Sequence, residues 1–435
     1  MGRSPLLAAF FAAAAWTVLT PAIADEPDVN MPPPGGAAGG PSNQNQEVTA
    51  LSGPRAQDSY YLPKGIPISG PFRLYPNLLT EIGYDDNVFR APDGGKQSSP
   101  FLIATPTLIF DYDVERLKLD LYGQTSYNEY TQYNLTTWLT GLRGRYEISH
   151  DATFEGNVSD GLFFEPYSSA NTNSTASVTA KRPNEYGVID ASGKFNYKPN
   201  RLGATIGGSY DAYAFTSTPL TDGTDPSNAF RNAQVEKGWL EGTYDFSPGY
   251  SAFLRGTYNT DDYSNLSSRS SHGYNVDAGV TLLLGNLIQG QAFLGYLDQI
   301  YKAPFKNISG FDYGANLSWY PTELLTVHLA GARQIENTTV VGASAGDDKN
   351  VALDLDYELL RTLHLLANGG FDDTNYPGAI GGRTDKTITF GGGGKFLMSH
   401  YVWLSATYTY TNRSSTVSFG RYVDNLAMLG INLQD

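Results

Sequence analysis

The sequence predicts an all-β fold, a single transmembrane antiparallel β-barrel of about 18 strands that follows a disordered segment. Three observations lead to this fold class. Apolar and polar residues alternate with a period of two from residue 72 onward, short turns alternate with long polar segments, and aromatic residues gather at both ends of the predicted strands. Composition agrees, because only 17% of the residues are charged, whereas soluble domains carry about 25%.

Charge and cysteine content exclude several classes of function. The chain has 29 Lys and Arg against 44 Asp and Glu, a formal net charge of −15, and it contains no Cys. Disulfide scaffolds, thiolate metal sites and Cys nucleophiles are therefore excluded. We also expect no nucleic-acid partner, because binding to phosphates requires clustered Lys and Arg.

Residues 1–24 are predicted to be a signal peptide. Arg3 supplies the positive charge, Leu6 to Leu19 form an apolar stretch, and Ala22-Ile23-Ala24 is a small-x-small cleavage site, so we expect cleavage after Ala24. An uncleaved anchor is the alternative, but the stretch is shorter than the about 18 apolar residues of a spanning helix. An exported chain without such a helix can cross a membrane only as a closed barrel.

Residues 25–70 are predicted to be a flexible, Pro/Gly-rich periplasmic segment. They contain Pro32-Pro33-Pro34-Gly35-Gly36 and show no periodic apolar pattern that could form a core. A plain linker is the favoured interpretation, and docking of a partner is the alternative. Residues 71–435 are then the barrel.

Alternation within the predicted strands separates an apolar face from a polar face. Between Leu117 and Tyr130, the odd positions begin with three leucines and the even positions carry polar side chains such as Asp120. Residues 311–319 and 351–359 repeat this pattern. Carboxyl groups in a row are costly in a sandwich core but are acceptable in a water-filled lumen. We therefore expect the apolar faces to contact lipid, including Leu119, Leu121, Leu317, Leu353, Leu355 and Leu404.

The spacing of turns predicts hairpins that cross a bilayer. Short turns are predicted near Arg116, His150, Pro199, Pro248, Gly285, Pro321, Arg361 and Ser399. Between them lie longer polar segments at residues 164–185, 215–232, 301–309, 337–349 and 373–385. Short periplasmic turns and long outer loops are typical of outer-membrane barrels, and this alternation leads to the estimate of about eighteen strands.

Two belts of aromatic residues are the third observation. Strands that approach the short turns end in Tyr112, Tyr146, Tyr197, Tyr244, Phe246, Trp319, Tyr320, Tyr357 and Phe396. Strands that approach the long loops end in Tyr84, Phe89, Tyr127, Tyr130, Tyr210, Tyr213, Tyr258, Tyr263, Tyr296, Tyr301, Phe371, Tyr376, Tyr408 and Tyr410. Amphipathic rings collect at membrane interfaces. The alternative, that Tyr is merely common in strands, explains abundance but not position.

The polar faces supply the candidate functional residues. A barrel of about 16 to 18 strands is too wide for side chains to fill, so we expect an aqueous lumen. Acidic groups outnumber basic ones on these faces, which predicts a preference for cations. Tyr75, Tyr122, Trp239 and Tyr320 offer flat surfaces for sugar rings. The predicted lumen-lining residues include Asp120, Tyr122, Arg143, Arg145, Trp239, Asp312, Asp354, Asp356 and Glu358.

The start of the predicted barrel resembles a known family. The stretch from Gly65-Ile66-Pro67 to Phe72-Arg73-Leu74-Tyr75-Pro76, followed by Gly83-Tyr84-Asp85-Asp86-Asn87-Val88-Phe89, is similar to the opening of the putative β-barrel porin family of Gram-negative outer membranes. Members of that family often occur among exopolysaccharide or capsule export genes.

The resemblance implies a location, partners and a function. It implies a protein of the cell outer membrane that contacts outer-membrane lipid and forms a pore for solutes. Exopolysaccharide export or binding, with polysaccharide and export-complex proteins as partners, is the narrower implication. The alternative is a non-conducting structural or assembly component of an envelope polysaccharide complex.

The sequence offers little catalytic chemistry. The five His residues have no metal-ligand spacing such as H-x-x-x-H. His328 and His364 share the polar face and could meet, but no Ser or Thr stands out as a nucleophile. Asp85, Asp86 and Asn87 could bind Ca²⁺, but a polar strand end is the favoured interpretation. We therefore expect no enzyme activity, no cofactor and no metal site.

Overall fold

The computed structural model describes residues 61, 63–165, 180–284 and 287–435. The predicted signal peptide, most of the predicted leader and the turn residue Gly285 lie outside the described residues. A four-residue strand, β1 (Ile66–Ser69), lies within the segment assigned to the leader and pairs with the start of the next strand. No helix among the described residues is long and apolar enough to cross a membrane.

Eighteen long antiparallel strands follow β1, as the sequence predicts. They are β2 (Phe72–Asp85), β3 (Ser99–Val114), β4 (Leu117–Tyr130), β5 (Asn134–Ser149), β6 (Ala152–Glu165), β7 (Asn184–Tyr197), β8 (Leu202–Phe215), β9 (Ala233–Ser247), β10 (Tyr250–Tyr263), β11 (Ser271–Leu283), β12 (Ile288–Tyr301), β13 (Ile308–Thr322), β14 (Leu325–Glu336), β15 (Gly346–Leu360), β16 (Leu363–Tyr376), β17 (Arg383–Leu397), β18 (Val402–Ser415) and β19 (Tyr422–Gln434). Three short 3-10 turns lie in the loops, at Ala229–Arg231, Ser267–Arg269 and Ser418–Gly420.

The sheet closes on itself. Each long strand pairs with the next one along the chain, and β19 pairs with β2 from Leu426 opposite Asp85 to Gln434 opposite Asn77. Closure leaves no strand edge within the ring, so backbone N–H and C=O groups find partners without water. The predicted all-β, single antiparallel barrel is confirmed.

The two faces of the wall differ as the period of two requires. On β4, the side chain of Leu121 is 56% exposed, while its neighbours Asp120 and Tyr122 are 4% and 6% exposed. Leu353 and Leu404, also predicted to contact lipid, are exposed on the outer face. The side chains at the polar positions point inward. We call the surface that they form the interior face of the barrel.

Short connections collect at one end of the barrel and longer ones at the other. At the short-turn end, the connections are 115–116, 150–151, 198–201, 248–249, 284–287, 323–324, 361–362 and 398–401, and both the start of β2 and the end of β19 lie there. Pro248 and Gly249 form a two-residue turn in which Gly249 has a φ of +78°, a conformation that glycine adopts without strain. We call the opposite end the long-loop end.

Several long loops are shorter than predicted. The segment predicted as a loop at 373–385 narrows to 377–382, because Asp373 pairs with Lys386 and Thr374 pairs with Asp385 in the β16–β17 ladder. The connection at 131–133 is short although it lies at the long-loop end. Polar residues at a strand end resemble a loop in sequence, but a backbone ladder can continue wherever both faces are polar.

Exposed aromatic side chains form the two predicted belts. Tyr146, Tyr197, Tyr244, Trp319 and Phe396 lie on the outer face at the short-turn end, and Tyr84, Tyr127, Tyr258, Tyr296 and Tyr408 lie there towards the long-loop end. Tyr213, Tyr263, Tyr301, Tyr320 and Tyr376 are exceptions, since they are buried, at 5% to 9% exposure. A ring near a strand end lies at the level of a belt. Whether it faces lipid or the interior depends on the alternation of side chains along the strand.

We expect the two faces of β15 to respond oppositely to a positive charge. Leu353→Arg places the charge on the outer face between the belts and should cost about 2 to 4 kcal/mol of folding free energy. Ala352→Arg places it on the interior face, opposite Ala330 and Gly370, and should cost much less. Urea unfolding in lipid vesicles, followed by gel mobility, measures both. Equal losses would contradict the assignment of faces.

Candidate functional site

A polar group on β4, β5 and β6 contains four of the predicted interior residues. Asp120 is opposite Arg143 in the register, and Arg143 Nε donates to Asp120 Oδ2 at 2.7 Å. The Tyr122 hydroxyl donates to Asn157 Oδ1 at 2.8 Å. Arg145 lies nearer the short-turn end, where its Nη2 is 3.4 Å from Glu147 Oε1. These contacts bind the side chains to one another along the interior face of the barrel.

A second group lies on β14, β15 and β16. Asp354 is opposite His328, and Glu358 is opposite His364. Asp356 Oδ1 is 2.9 Å from His364 Nδ1. Asp312 on β13 and Trp239 on β9 belong to neither group, so the nine predicted residues do not form one cluster. They are distributed around the ring of the interior face.

Most interior basic groups are held by carboxylates. Besides Arg143 with Asp120, Lys194 Nζ is 2.7 Å from Glu155 Oε2, and Arg255 Nη2 is 2.7 Å from Glu241 Oε2. Within the part of the chain that the structure describes, Asp111, Asp277 and Asp312 form no ion pair, and carboxylates thus dominate the unpaired charge of the interior.

Asp111 was missed by the sequence analysis. It is 5% exposed and lies opposite Asp120, so two carboxyl groups face each other across β3 and β4. Asp190 and Asp211 repeat this arrangement across β7 and β8. Strand β3 contains the apolar run Phe101-Leu102-Ile103, which hides its alternation. Counting in steps of two from Ile103 along β3 places Asp111 on the interior face, and this count was the signal in the sequence that could have identified it.

Interior aromatic rings lie flat across glycines of neighbouring strands. A Cβ atom on Gly207 would lie 2.1 Å from the Trp239 ring, and one on Gly141 would lie 2.5 Å from the Tyr122 hydroxyl. Such close approach requires glycine at both positions. Trp239 and Tyr122 are 7% and 6% exposed, and Tyr75 is also 6% exposed. These rings are therefore part of the wall.

Buried arginines, none of which the sequence analysis identified, anchor the long-loop end. Arg231, from the loop between β8 and β9, places Nη1 2.7 Å from Oε2 of Glu165, which is 1% exposed. The Arg231 guanidinium lies 3.8 Å from the centre of the Phe215 ring. Across the mouth, Arg383 and Arg413 both bind the Asp385 carboxylate. Strand parity cannot assign the loop residue Arg231, whereas Arg383 and Arg413 lie within β17 and β18 near their long-loop ends.

Three carboxylates gather where Asp85 and Asp86 were considered as calcium ligands. One oxygen each from Asp85, Asp86 and Asp424 lie within 4.8 Å of one another. Arg90 Nε is 3.6 Å from Asp424 Oδ2. Burial opposes the charge of Arg90, but the nearby Tyr422, Asp424 and Asp85 raise its pKa, so the guanidinium stays positive. This cation offsets part of the negative charge of the cluster.

The two histidines of the polar face do not meet. His328 Nδ1 is 3.2 Å from Ser318 Oγ, and Asp354 is opposite His328 on the other side. The row has the order of a Ser-His-Asp triad. Strands, however, direct their backbone N–H groups along the sheet, and those around Ser318 pair with β12 and β14. The row therefore offers no oxyanion hole from this backbone.

We expect the ion pair between Arg231 and Glu165 to contribute to the folding free energy of the barrel. Arg231→Met leaves the Glu165 carboxylate buried without its cation, which should cost about 3 to 5 kcal/mol. The double variant Arg231→Met/Glu165→Gln removes that charge and should recover most of the loss. Urea midpoints in vesicles measure both variants. A loss below about 1 kcal/mol in the single variant would show that the pair contributes little.

Three solved structures of Pseudomonas proteins are among those similar to this chain. The BenF-like porin of Pseudomonas fluorescens Pf-5 is 11% identical, with a TM-score of 0.45 over 83% of this chain and 99% of that chain. Pseudomonas aeruginosa OccK2 (OpdF), solved with glucuronate, is 11% identical, with a TM-score of 0.44 over 83% and 98% of the two chains. P. aeruginosa OpdK, solved with vanillate, is 10% identical, with a TM-score of 0.44 over 83% and 99%.

No curated protein matches the chain. The model of the family described as "Putative beta-barrel porin 2" matches residues 58–435. That match covers the whole described barrel. The chain therefore belongs to the putative beta-barrel porin 2 family and is a porin-like β-barrel of the outer membrane.

Proposed function

We propose that the barrel is an aqueous pore that passes polar solutes across the outer membrane and favours cations over anions. The observation that carries this proposal is the charge of the interior face. Most of its bases are held in ion pairs, such as Arg255 with Glu241, while Asp111, Asp190, Asp211, Asp277 and Asp312 form no ion pair among the described residues.

The width of the barrel supports an aqueous interior. Barrels of about 16 to 18 strands leave a channel that side chains do not fill. In this proposal Asp120, Tyr122, Arg143, Arg145, Trp239, Asp312, Asp354, Asp356 and Glu358 line the channel. The wall is polar inward and apolar outward, which is the arrangement a water-filled pore in lipid needs. Members of a porin family act as channels, so the proposal includes no catalytic step.

A fixed negative wall attracts cations and repels anions over about one Debye length. That length is about 10 Å at 0.1 M salt and about 3 Å at 1 M. Selectivity should therefore be strong in dilute salt and weak in concentrated salt. A preference that does not change with ionic strength would require a contact filter instead of a diffuse field.

We expect reversal potentials in a salt gradient to show this preference. The wild-type protein in a planar bilayer should favour cations at about 0.1 M salt and lose most of that preference near 1 M. Asp354→Asn/Asp356→Asn removes two interior carboxylates and should weaken it. Glu129→Gln, on the outer face of β4, is the matched control and should not. Anion preference in the wild type would contradict the proposal.

A non-conducting structural component of an envelope polysaccharide complex is the second candidate. One observation favours it: the loop between β8 and β9 is bound to the interior through Arg231 and Glu165, and an isolated bridge joins Leu220 of this loop to Ala180. A loop held in this way narrows the mouth. Single-channel recording separates the two candidates, because a plugged barrel gives no conductance steps.

Exopolysaccharide as the solute, with export-complex proteins as partners, is the narrowest part of the proposal. Its support is the family resemblance together with flat interior rings such as Trp239. Because Trp239 is 7% exposed, a glycan could stack there only after the covering side chains move aside. Uptake of oligosaccharides of increasing length into vesicles tests this point. A selective loss of the longer chains in Trp239→Ala would support stacking, and unchanged uptake would remove that role.

A further inference from the structure

Two aspartates on strands that are not neighbours approach each other inside the barrel. Asp277 of β11 and Asp312 of β13 are both opposite Gly295 of β12 in the register. A Cβ atom on Gly295 would lie 2.2 Å from Asp277 Oδ1, so the Asp277 carboxylate lies across this glycine. Asp277 and Asp312 thus approach Gly295 from its two neighbouring strands. The missing side chain at position 295 is what permits the approach.

The Asp277 carboxylate is buried and only half satisfied. Its side chain is 1% exposed. Asn275 Nδ2 donates to Asp277 Oδ2 at 2.7 Å, but Oδ1 has no hydrogen-bond donor among the described residues. Asp312 is 6% exposed. A second carboxylate is not a donor unless it holds a proton, so Asp312 by itself does not satisfy Oδ1.

The basic side chain opposite Asp277 forms an ion pair with another carboxylate. Arg255 is opposite Asp277 in the register, but its Nη2 is 2.7 Å from Glu241 Oε2 and 3.5 Å from Gln291 Oε1. Arg255 and Glu241 neutralise each other. Asp277 and Asp312 are then left with two negative charges, and carboxylates this close do not both ionise without a counter-charge.

We propose that Asp277 and Asp312 bind one divalent cation, with Mg²⁺ preferred over Ca²⁺, across Gly295. Two carboxylates supply two charges and hard oxygen ligands, and the charge of the ion balances them. Mg²⁺ is usually held by one or two carboxylates and keeps several waters, whereas Ca²⁺ takes six to eight oxygen ligands. The oxygen of Asp277 that lacks a donor is the ligand atom aimed at the site.

The site differs from the carboxylate cluster at the long-loop end. There Arg90 supplies one positive charge beside the carboxylates, with its Nε 3.6 Å from Asp424 Oδ2. Between Asp277 and Asp312 no basic side chain forms an ion pair within the described ranges. Cation binding at this pair does not require conduction, so it stands or falls separately from the pore function.

Calorimetric titration of Mg²⁺, and separately of Ca²⁺, into the full chain refolded in detergent tests the proposal. Wild type should bind one Mg²⁺ that Asp277→Asn and Asp312→Asn each lose, with at least a tenfold fall in affinity. Gly295→Ala keeps both charges but displaces the carboxylate, and should also weaken binding. Glu129→Gln, which removes a carboxylate from the outer face of β4, is the matched control and should bind as wild type does. Heat-modifiable gel migration confirms that each variant has folded.

Three outcomes would overturn the site. Unchanged stoichiometry and affinity in both Asp277→Asn and Asp312→Asn would place any bound cation elsewhere. Absence of Mg²⁺ and Ca²⁺ binding in the wild type would mean that the pair shares a proton instead. Tighter binding of Ca²⁺ than of Mg²⁺ would overturn the stated preference.

Discussion

Backbone hydrogen bonding in a medium without water is the constraint on which this structure depends. Every N–H and C=O group within the hydrocarbon must find a partner in the protein. Eighteen strands meet that requirement by pairing in chain order and by closing β19 onto β2. The chain reaches this solution with short turns at one end, so each strand lies beside its neighbour in sequence. Closure then creates an inside and an outside.

The two faces follow from closure and from the period of two in a strand. The outer face carries exposed leucines such as Leu121, with aromatic rings above and below them. The interior face collects charged side chains that would be costly in lipid. These charged side chains lie opposite one another on adjacent strands. Basic groups such as Arg143 and Arg255 therefore form ion pairs with the carboxylates beside them. The acidic excess of the chain therefore appears as unpaired carboxylates.

Contacts at the long-loop end are not determined by strand pairing. There the chain leaves the ladder, and contacts depend on how each loop folds back. Buried ion pairs such as Arg231 with Glu165 fasten these loops to the interior face. Breaking such a pair is costly because a charge is left buried. The folded position of the loop between β8 and β9 therefore depends on this buried contact.

The sequence by itself determined the fold class, the strand number and, for most strands, the face of each residue. Those properties depend on local periodicity and on turn residues, both of which are visible along the chain. Only the tertiary structure decided that Asp111 faces Asp120, that Asp277 reaches Asp312 across Gly295, and that Arg231 inserts beside Glu165. The physical reason is that register between strands and the path of loops depend on closing the whole ring, and a single strand contains no record of either.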